Sequence, residues 1–419
     1  MSHPMHQDSS LDAALLRGMT RPRSVTRRDA FRLAGLSAAG LALTACGVQG
    51  KKAAPPQKDA VADYWASKKK NGTLRFANWT LYIDKEDGRS PSLEKFTADT
   101  GIKVTYTEAI QDTPSFFGKI QPLLASGTDI GYDVMVITNG IHLSKAIALG
   151  YLVPLDHSKL PNFAANAAEK VKNPTWDPNN TYTVPWTAGL TGIAYNPKYV
   201  DEVTSVNDLW NPKYKGKVGM MLDPQEVANF GMFAEGIDPD KSTEADWRKA
   251  AARLQKQRDD GLVRKYYEND YVDALARGDI WITMAWSGDI FQQVAEGKDI
   301  KFVIPQEGGT IWTDNLCIPK TAQNPLDALT YMDYVYQPKI ATMLVEAINY
   351  ITPVPSTKDL VLADAAKASG DDKKSLEQLA NSPMIYPAEA DMARLRSFRA
   401  LTIAEEKVFE SVFQPITQG

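Results

Sequence analysis

Glu307-Gly-Gly-Thr-Ile-Trp312-Thr-Asp314-Asn315 is the stretch from which the rest of the chain can be read. A diglycine turn leads into an extended segment, and in a strand residues i and i+2 point to the same face. Trp312 and Asp314 therefore look out side by side. An indole face and a carboxylate together can grip an organic ammonium ion. The pattern equally suits a core tryptophan beside a strand-end cap, and on these residues alone both readings stand.

A second segment of the same kind precedes it. Thr183 to Asn196 is apolar and rich in small residues, and reads as a strand crossing between two parts of the chain. Short apolar runs alternate with amphipathic stretches on either side, the rhythm of α/β folds. Before the first crossing come strands at Leu74–Trp79, Lys103–Thr107 and Tyr132–Thr138. Helices separate them at Ser92–Gly101 and Pro114–Ser126, and a third covers Ile141–Leu149. Between the crossings come strands at Lys217–Leu222, Ile280–Trp286 and Ile300–Ile304, and helices from Asp223, over Thr243–Asp260, over Tyr271–Arg277 and from Asp289. After the second crossing, helices are predicted over Leu326–Tyr336, Pro338–Ile348 and Ala388–Phe413, with a proline-locked loop at Tyr350–Pro355.

The fold class is α/β: two doubly wound lobes joined by crossing strands, with a ligand cleft between them. Residues 72–187 with 312–357 form lobe 1, and residues 188–311 with 358–419 form lobe 2. A chain of 419 residues suits two lobes, since one core rarely grows past ~250–300 residues. Open α/β sheets bind ligands at the carboxyl ends of their strands, which here include Trp79, Thr138, Leu222 and Trp286.

The first 45 residues read as an export signal rather than part of the fold. Arg27-Arg28 precedes a weakly apolar run from Leu33 to Leu43, too short for a membrane span of ~20 residues. Leu43-Thr-Ala-Cys46-Gly then supplies the branched residue, two small residues and cysteine that a lipoprotein signal peptidase requires. The segment resembles a twin-arginine signal joined to a lipobox, and Cys46 becomes the candidate acylated terminus. Residues 46–71 read as a tether, with a short helix within Asp59–Lys70.

Composition narrows the chemistry. A net charge of −4 argues against a nucleic-acid binder. Two cysteines, Cys46 and Cys317, make no disulfide framework, and outside the leader only His142 and His157 remain. There is no metal cluster, catalytic triad or Gly-rich phosphate loop, so neither metal, cofactor nor enzymatic activity is expected.

Seven pieces in collinear order give a resemblance. They are Asn78-Trp-Thr-Leu-Tyr82; Tyr132-Asp133; Leu209-Trp210 with Lys213-Tyr-Lys-Gly216; Asp223-Pro-Gln-Glu226; Trp286-Ser-Gly288; Glu307 to Leu316; and Tyr350-Ile-Thr-Pro353. From Leu74 to Phe413 the chain resembles the spermidine/putrescine-binding proteins of polyamine ABC transporters, extracytoplasmic receptors of the type II periplasmic binding fold. The resemblance implies an aromatic box of Trp79, Trp286, Trp312 and Tyr350, lined by Thr80, Tyr82 and Thr138. Asp314 would hold one amine, and Asp223 and Glu226 the other end. It also implies a polyamine ligand, permease and ATPase partners, and a place on the outer face of the membrane. Leu81 stands where these proteins often carry an acidic residue. Asp223-Pro-Gln-Glu226 is also a helix-capping pattern, an alternative reading of both carboxylates. The alternative solute is a smaller amine, an amino-acid derivative, or an anion held by Arg396 and Arg399. A secreted enzyme on the same scaffold is the alternative from another class.

Overall fold

The strand Gly309–Cys317 sits at the middle of a ten-stranded mixed sheet in this computed structural model, which describes residues 58–418. The strands in chain order are β1 (Thr73–Trp79), β2 (Lys103–Ile110), β3 (Val134–Thr138), β4 (Thr183–Tyr195), β5 (Val218–Met221), β6 (Val263–Tyr267), β7 (Ile282–Trp286), β8 (Lys301–Val303), β9 (Gly309–Cys317) and β10 (Leu395–Arg396). Their order across the sheet is β2-β1-β3-β9-β4-β7-β5-β6, with β10 beside β9 and β8 beside β4. β2-β1-β3 and β7-β5-β6 are parallel runs. The long pair β4 and β9, antiparallel to each other and to β3 and β7 on either side, joins the two runs. Helices on both faces explain why β3 reads as a nearly continuous apolar run, Val-Met-Val-Ile, with all four residues buried.

The two parallel runs build separate cores. One gathers Phe76, Val136, Trp186, Leu316 and Tyr331. The other gathers Ile193, Met220, Phe230, Trp247, Ile282 and Phe413. The α/β class with two crossing strands is thus the architecture found, and the crossings sew the runs into one continuous sheet.

Four segments depart from expectation. The helix predicted over Ala388–Phe413 is broken into Glu389–Met392, the short β10 and Ile403–Gln418. Arg394 is held in the break, its guanidinium donating to the carbonyls of Ile304 and Pro305 at 2.9 and 3.0 Å. A new helix start is then written by Thr402 and Glu405, whose side chains bond each other's amides. β6 was not predicted; it is an edge strand whose Arg264 and Lys265 are exposed, so it lacks apolar alternation. Helices Thr357–Lys367 and Gly370–Asn381 were also not predicted.

The tether expected over 46–71 is not free at its C-terminal end. Helix Lys58–Ala66 docks Trp65 into the first core, 2% exposed, with its indole N–H donating to Pro154 O at 2.8 Å. The export signal over 1–45 and the candidate lipidation site Cys46 lie outside the described residues. No helix among the described residues is long and apolar enough to cross a membrane.

Candidate functional site

Asp314 is placed by β9 opposite Thr138 of β3 and Thr187 of β4. One carboxylate oxygen accepts the Thr138 hydroxyl at 2.6 Å and the other the Tyr82 hydroxyl at 2.7 Å. Thr187 in turn contacts the Tyr82 oxygen. Asp314 is 4% exposed. Burial pushes its carboxyl up to about 6, against the pull of the two hydroxyls.

Tyr82 reaches this position because the turn after β1 is stapled. Buried Asn78 accepts from the Trp79 amide at 2.9 Å and donates to Tyr82 O at 3.0 Å. At the apex, Leu81 has φ +55° and is 77% exposed. A non-glycine residue in the left-handed region is uncommon and is held there by its surroundings.

The aromatic walls follow. Trp312 lies flat over Gly189, its register partner on β4; a Cβ there would come within 2.2 Å of the ring. Tyr350 lies against Gly288 in the same way, at 2.4 Å. Tyr350 meets Tyr82 at a centroid distance of 5.7 Å and Trp312 at 5.3 Å, and Trp312 meets Trp286 edge-on at 6.5 Å. These spacings lie in the range of favourable aromatic contact.

A polar relay links the two tryptophans. The Trp312 indole donates to the Thr191 hydroxyl at 3.2 Å, and Thr191 donates to Glu226 Oε1 at 2.6 Å. The Trp286 indole donates to the same oxygen at 3.0 Å. Glu226 is 3% exposed, and its Oε2 has no hydrogen-bond partner among the described residues. Burial pushes its carboxyl up to about 8.

Asp223 does cap the helix Pro224–Ala234, its Oδ1 accepting the amides of Gln225 and Glu226 at 2.7 and 3.3 Å. The capping reading therefore holds for Asp223, while Glu226 turns into the aromatic cluster. Trp79 ends β1 half-buried, and Thr80 is exposed; among the described residues neither bonds to the relay.

The residues brought together are Tyr82, Thr138, Glu226, Trp286, Trp312, Asp314 and Tyr350. Asp289 joins them without having been predicted. It accepts from Tyr271 at 2.7 Å and from Tyr350 at 3.3 Å, and burial raises its carboxyl. Its signal was present: in Trp286-Ser-Gly-Asp289 the carboxylate lies one helical turn past an aromatic strand end. Among the described residues no basic side chain forms an ion pair with Asp223, Glu226, Asp289 or Asp314, and none is a leading cause of their shifts. Arg396 and Arg399, the candidates for an anion, are paired with Asp238 and Glu405.

An α/β sheet that gathers buried aromatic rings and carboxyls beside its two long antiparallel strands has the make-up of a solute-binding protein. Residues 92–373 match the family described as bacterial extracellular solute-binding protein, and the chain belongs to that family. It is 29% identical over 351 residues to the spermidine/putrescine-binding periplasmic protein of Escherichia coli (strain K12), covering 83% of this chain and 92% of that protein. It is 30% identical over 349 residues to spermidine/putrescine-binding periplasmic protein 1 of Haemophilus influenzae, covering 83% and 87%. The substrate-binding protein of a spermidine/putrescine ABC transporter from Streptococcus pneumoniae has a similar structure, with a TM-score of 0.67 at 25% identity over 82% of this chain and 98% of that one.

Proposed function

We propose that this chain is the extracytoplasmic receptor of an ABC importer and captures a polyamine of the putrescine or spermidine kind. One observation carries the reading: buried carboxyls of Asp314, Asp289 and Glu226 stand around aromatic rings with no basic side chain among the described residues paired to them. An organic polycation supplies the missing charge, and the rings suit its methylenes. Asp314 and Asp289 grip ammonium ends, while Tyr82, Trp286, Trp312 and Tyr350 form the walls. Thr138 orients Asp314, Trp79 and Thr80 flank the mouth, and Asp223 acts through the helix that carries Glu226.

Aromatic contacts with a cation contribute ~0.5–2 kcal/mol each and charge-assisted hydrogen bonds ~1.5–3 kcal/mol. Less the cost of ordering, these give roughly micromolar binding, about −8 kcal/mol. Residues 72–187 with 312–357 and residues 188–311 with 358–419 act as lobes that close on the ligand and present it to the permease. Acylated Cys46 holds the protein on the outer face of the membrane; a Cys46→Ala protein released from membranes in soluble form is the expected result.

Calorimetric titration with putrescine, spermidine and spermine, beside glutamate as an anionic control, tests the ligand. Heat with at least one amine is expected. Silence with all three amines and heat with glutamate would remove the reading.

A further inference from the structure

We propose that the cleft takes up its cation by exchange: Glu226 carries a proton on Oε2 while the site is empty and releases it to solvent when an ammonium group binds. The inference rests on the reading of the cleft as an amine site.

The bonding pattern around Glu226 is that of a neutral acid. Oε1 accepts twice, from the Thr191 hydroxyl and the Trp286 indole, as the carbonyl oxygen of a protonated carboxyl does. Oε2 has no hydrogen-bond partner among the described residues, and the Thr310 hydroxyl nearby pulls the carboxyl down less than Thr191 and Trp286 do. A carboxylate would place half its charge on that bare, buried oxygen, the arrangement a protein interior tolerates least.

Among the described residues the surroundings offer no compensating charge. On its own helix, Asp223 repels a second anion. β4 presents Thr191, and β9 presents Thr310 and Trp312, with Asp314 two residues further on. β7 presents Trp286, and beyond it lie Asp289, Tyr271 and Tyr350. The helices Glu244–Asp259 and Ile403–Gln418 pack on the same helix, but their charged groups are engaged elsewhere: Lys249 and Arg253 with Glu235, and Glu406 with Lys145. In the adjoining turns Asp208 bonds the amides of Thr204 and Ser205, and Asp238 pairs with Arg396. Burial, opposed in part by Thr191 and reinforced by Asp223, raises the carboxyl to about 8. The empty site at pH 7 therefore holds the acid form.

An arriving ammonium reverses the balance. The O–H bond of Glu226 breaks heterolytically, the proton passes to the buffer, and the carboxylate left behind accepts an N–H of the ligand. One positive charge enters as another leaves. Linkage then requires affinity to rise about tenfold per pH unit from pH 6.5 to 7.5 and to level off above about 8. Below about 6, protonation of Asp314 adds to the loss.

Calorimetry with putrescine at pH 7.0 in phosphate and in Tris, whose ionisation heats differ, counts the protons released. About one per putrescine is expected for the native protein, decreasing as the pH passes 8. Glu226→Gln, with its fold verified by circular dichroism, should bind putrescine more weakly, release almost no protons, and show an affinity that no longer rises from pH 6.5 to 7.5. Equal heats in both buffers for the native protein would overturn the exchange while leaving amine capture intact. Undiminished release from Glu226→Gln would overturn the assignment to Glu226. No heat in either buffer from pH 6 to 8 would instead defeat the amine reading itself. The native protein's buffer pair keeps the test decisive if the variant fails to fold.

Discussion

Replacing Gly189 with alanine should evict the Trp312 wall. The new methyl would stand 2.2 Å from Cζ2 of the indole, 2.5 Å from Cη2 and 2.8 Å from Cε2, all far inside van der Waals contact. Gly189 has no left-handed conformation to lose, so the effect is steric alone. The two residues are direct register partners on antiparallel strands, and neither backbone can retreat without breaking the β4–β9 ladder. The ring must therefore rotate. Overpacking of this kind costs ~1–3 kcal/mol. Loss of the Trp312–Thr191 hydrogen bond adds ~1 kcal/mol. A total of ~2–4 kcal/mol should appear in urea denaturation as a lower midpoint with an unchanged slope. Putrescine affinity should fall at least about tenfold, ~1.4 kcal/mol, because a cation–π wall is displaced. Gly118→Ala is the control: it lies in a helix with nothing near its would-be Cβ, and should be neutral or slightly stabilising. If Gly189→Ala matched that control in both stability and affinity, the seating of Trp312 on bare backbone would be refuted.

Asp314→Asn and Asp289→Asn should each weaken putrescine binding at least about tenfold with unchanged circular dichroism; an unaltered Kd for either removes that residue from the charge contacts. Without ligand, stability should fall as pH rises. Glu226 and Asp314 bind their protons more tightly folded than unfolded, so their contribution is complete below about 4 and is lost as pH passes about 6 and then about 8. Melting temperatures from pH 5 to 8.5 would show this, and Glu226→Gln should flatten the upper part. His142, pushed down to about 4 by burial, works in the opposite sense: its contribution is lost as pH falls from about 6.5 to about 4, and His142→Phe should soften the acid limb of the same curve. Trp65→Ala should cost ~3–5 kcal/mol in denaturant titration; a negligible change would mean that the first helix is only loosely seated.

The backbone plan was readable because β4 and β9 carry unusual sequences. Thr183–Tyr195 and Gly309–Cys317 are apolar, rich in small residues, and flanked by opposite ends of amphipathic segments. The site was readable where chemistry is local to one strand, as at Trp312 and Asp314. What bridges strands was not. Thr187 and Thr191 are ordinary threonines until β4 brings them beside Tyr82 and Glu226. Asp289 looked like the first residue of a helix, yet the helix already begins at Ser287, which turns the carboxylate toward two tyrosines. Helices 357–367 and 370–381 escaped because they bury little: three residues of the first and two of the second. The terminal helix was overdrawn because Leu395 continues its apolar period while its backbone pairs with Gly309.

The position of β9 in the sheet has a kinetic consequence. β3 and β4 do not bond each other; each bonds β9, which begins only at residue 309 of 419. Until that segment has emerged from the ribosome, the chain holds two half-sheets, each with an open edge. Such edges invite pairing with the wrong chain. The missing contacts are also far apart in sequence, which slows folding. A nascent chain of this kind stays incompletely folded until three-quarters of it is present, long enough for a chaperone to engage it. The strand that carries Trp312 and Asp314 is also the one whose arrival completes the sheet.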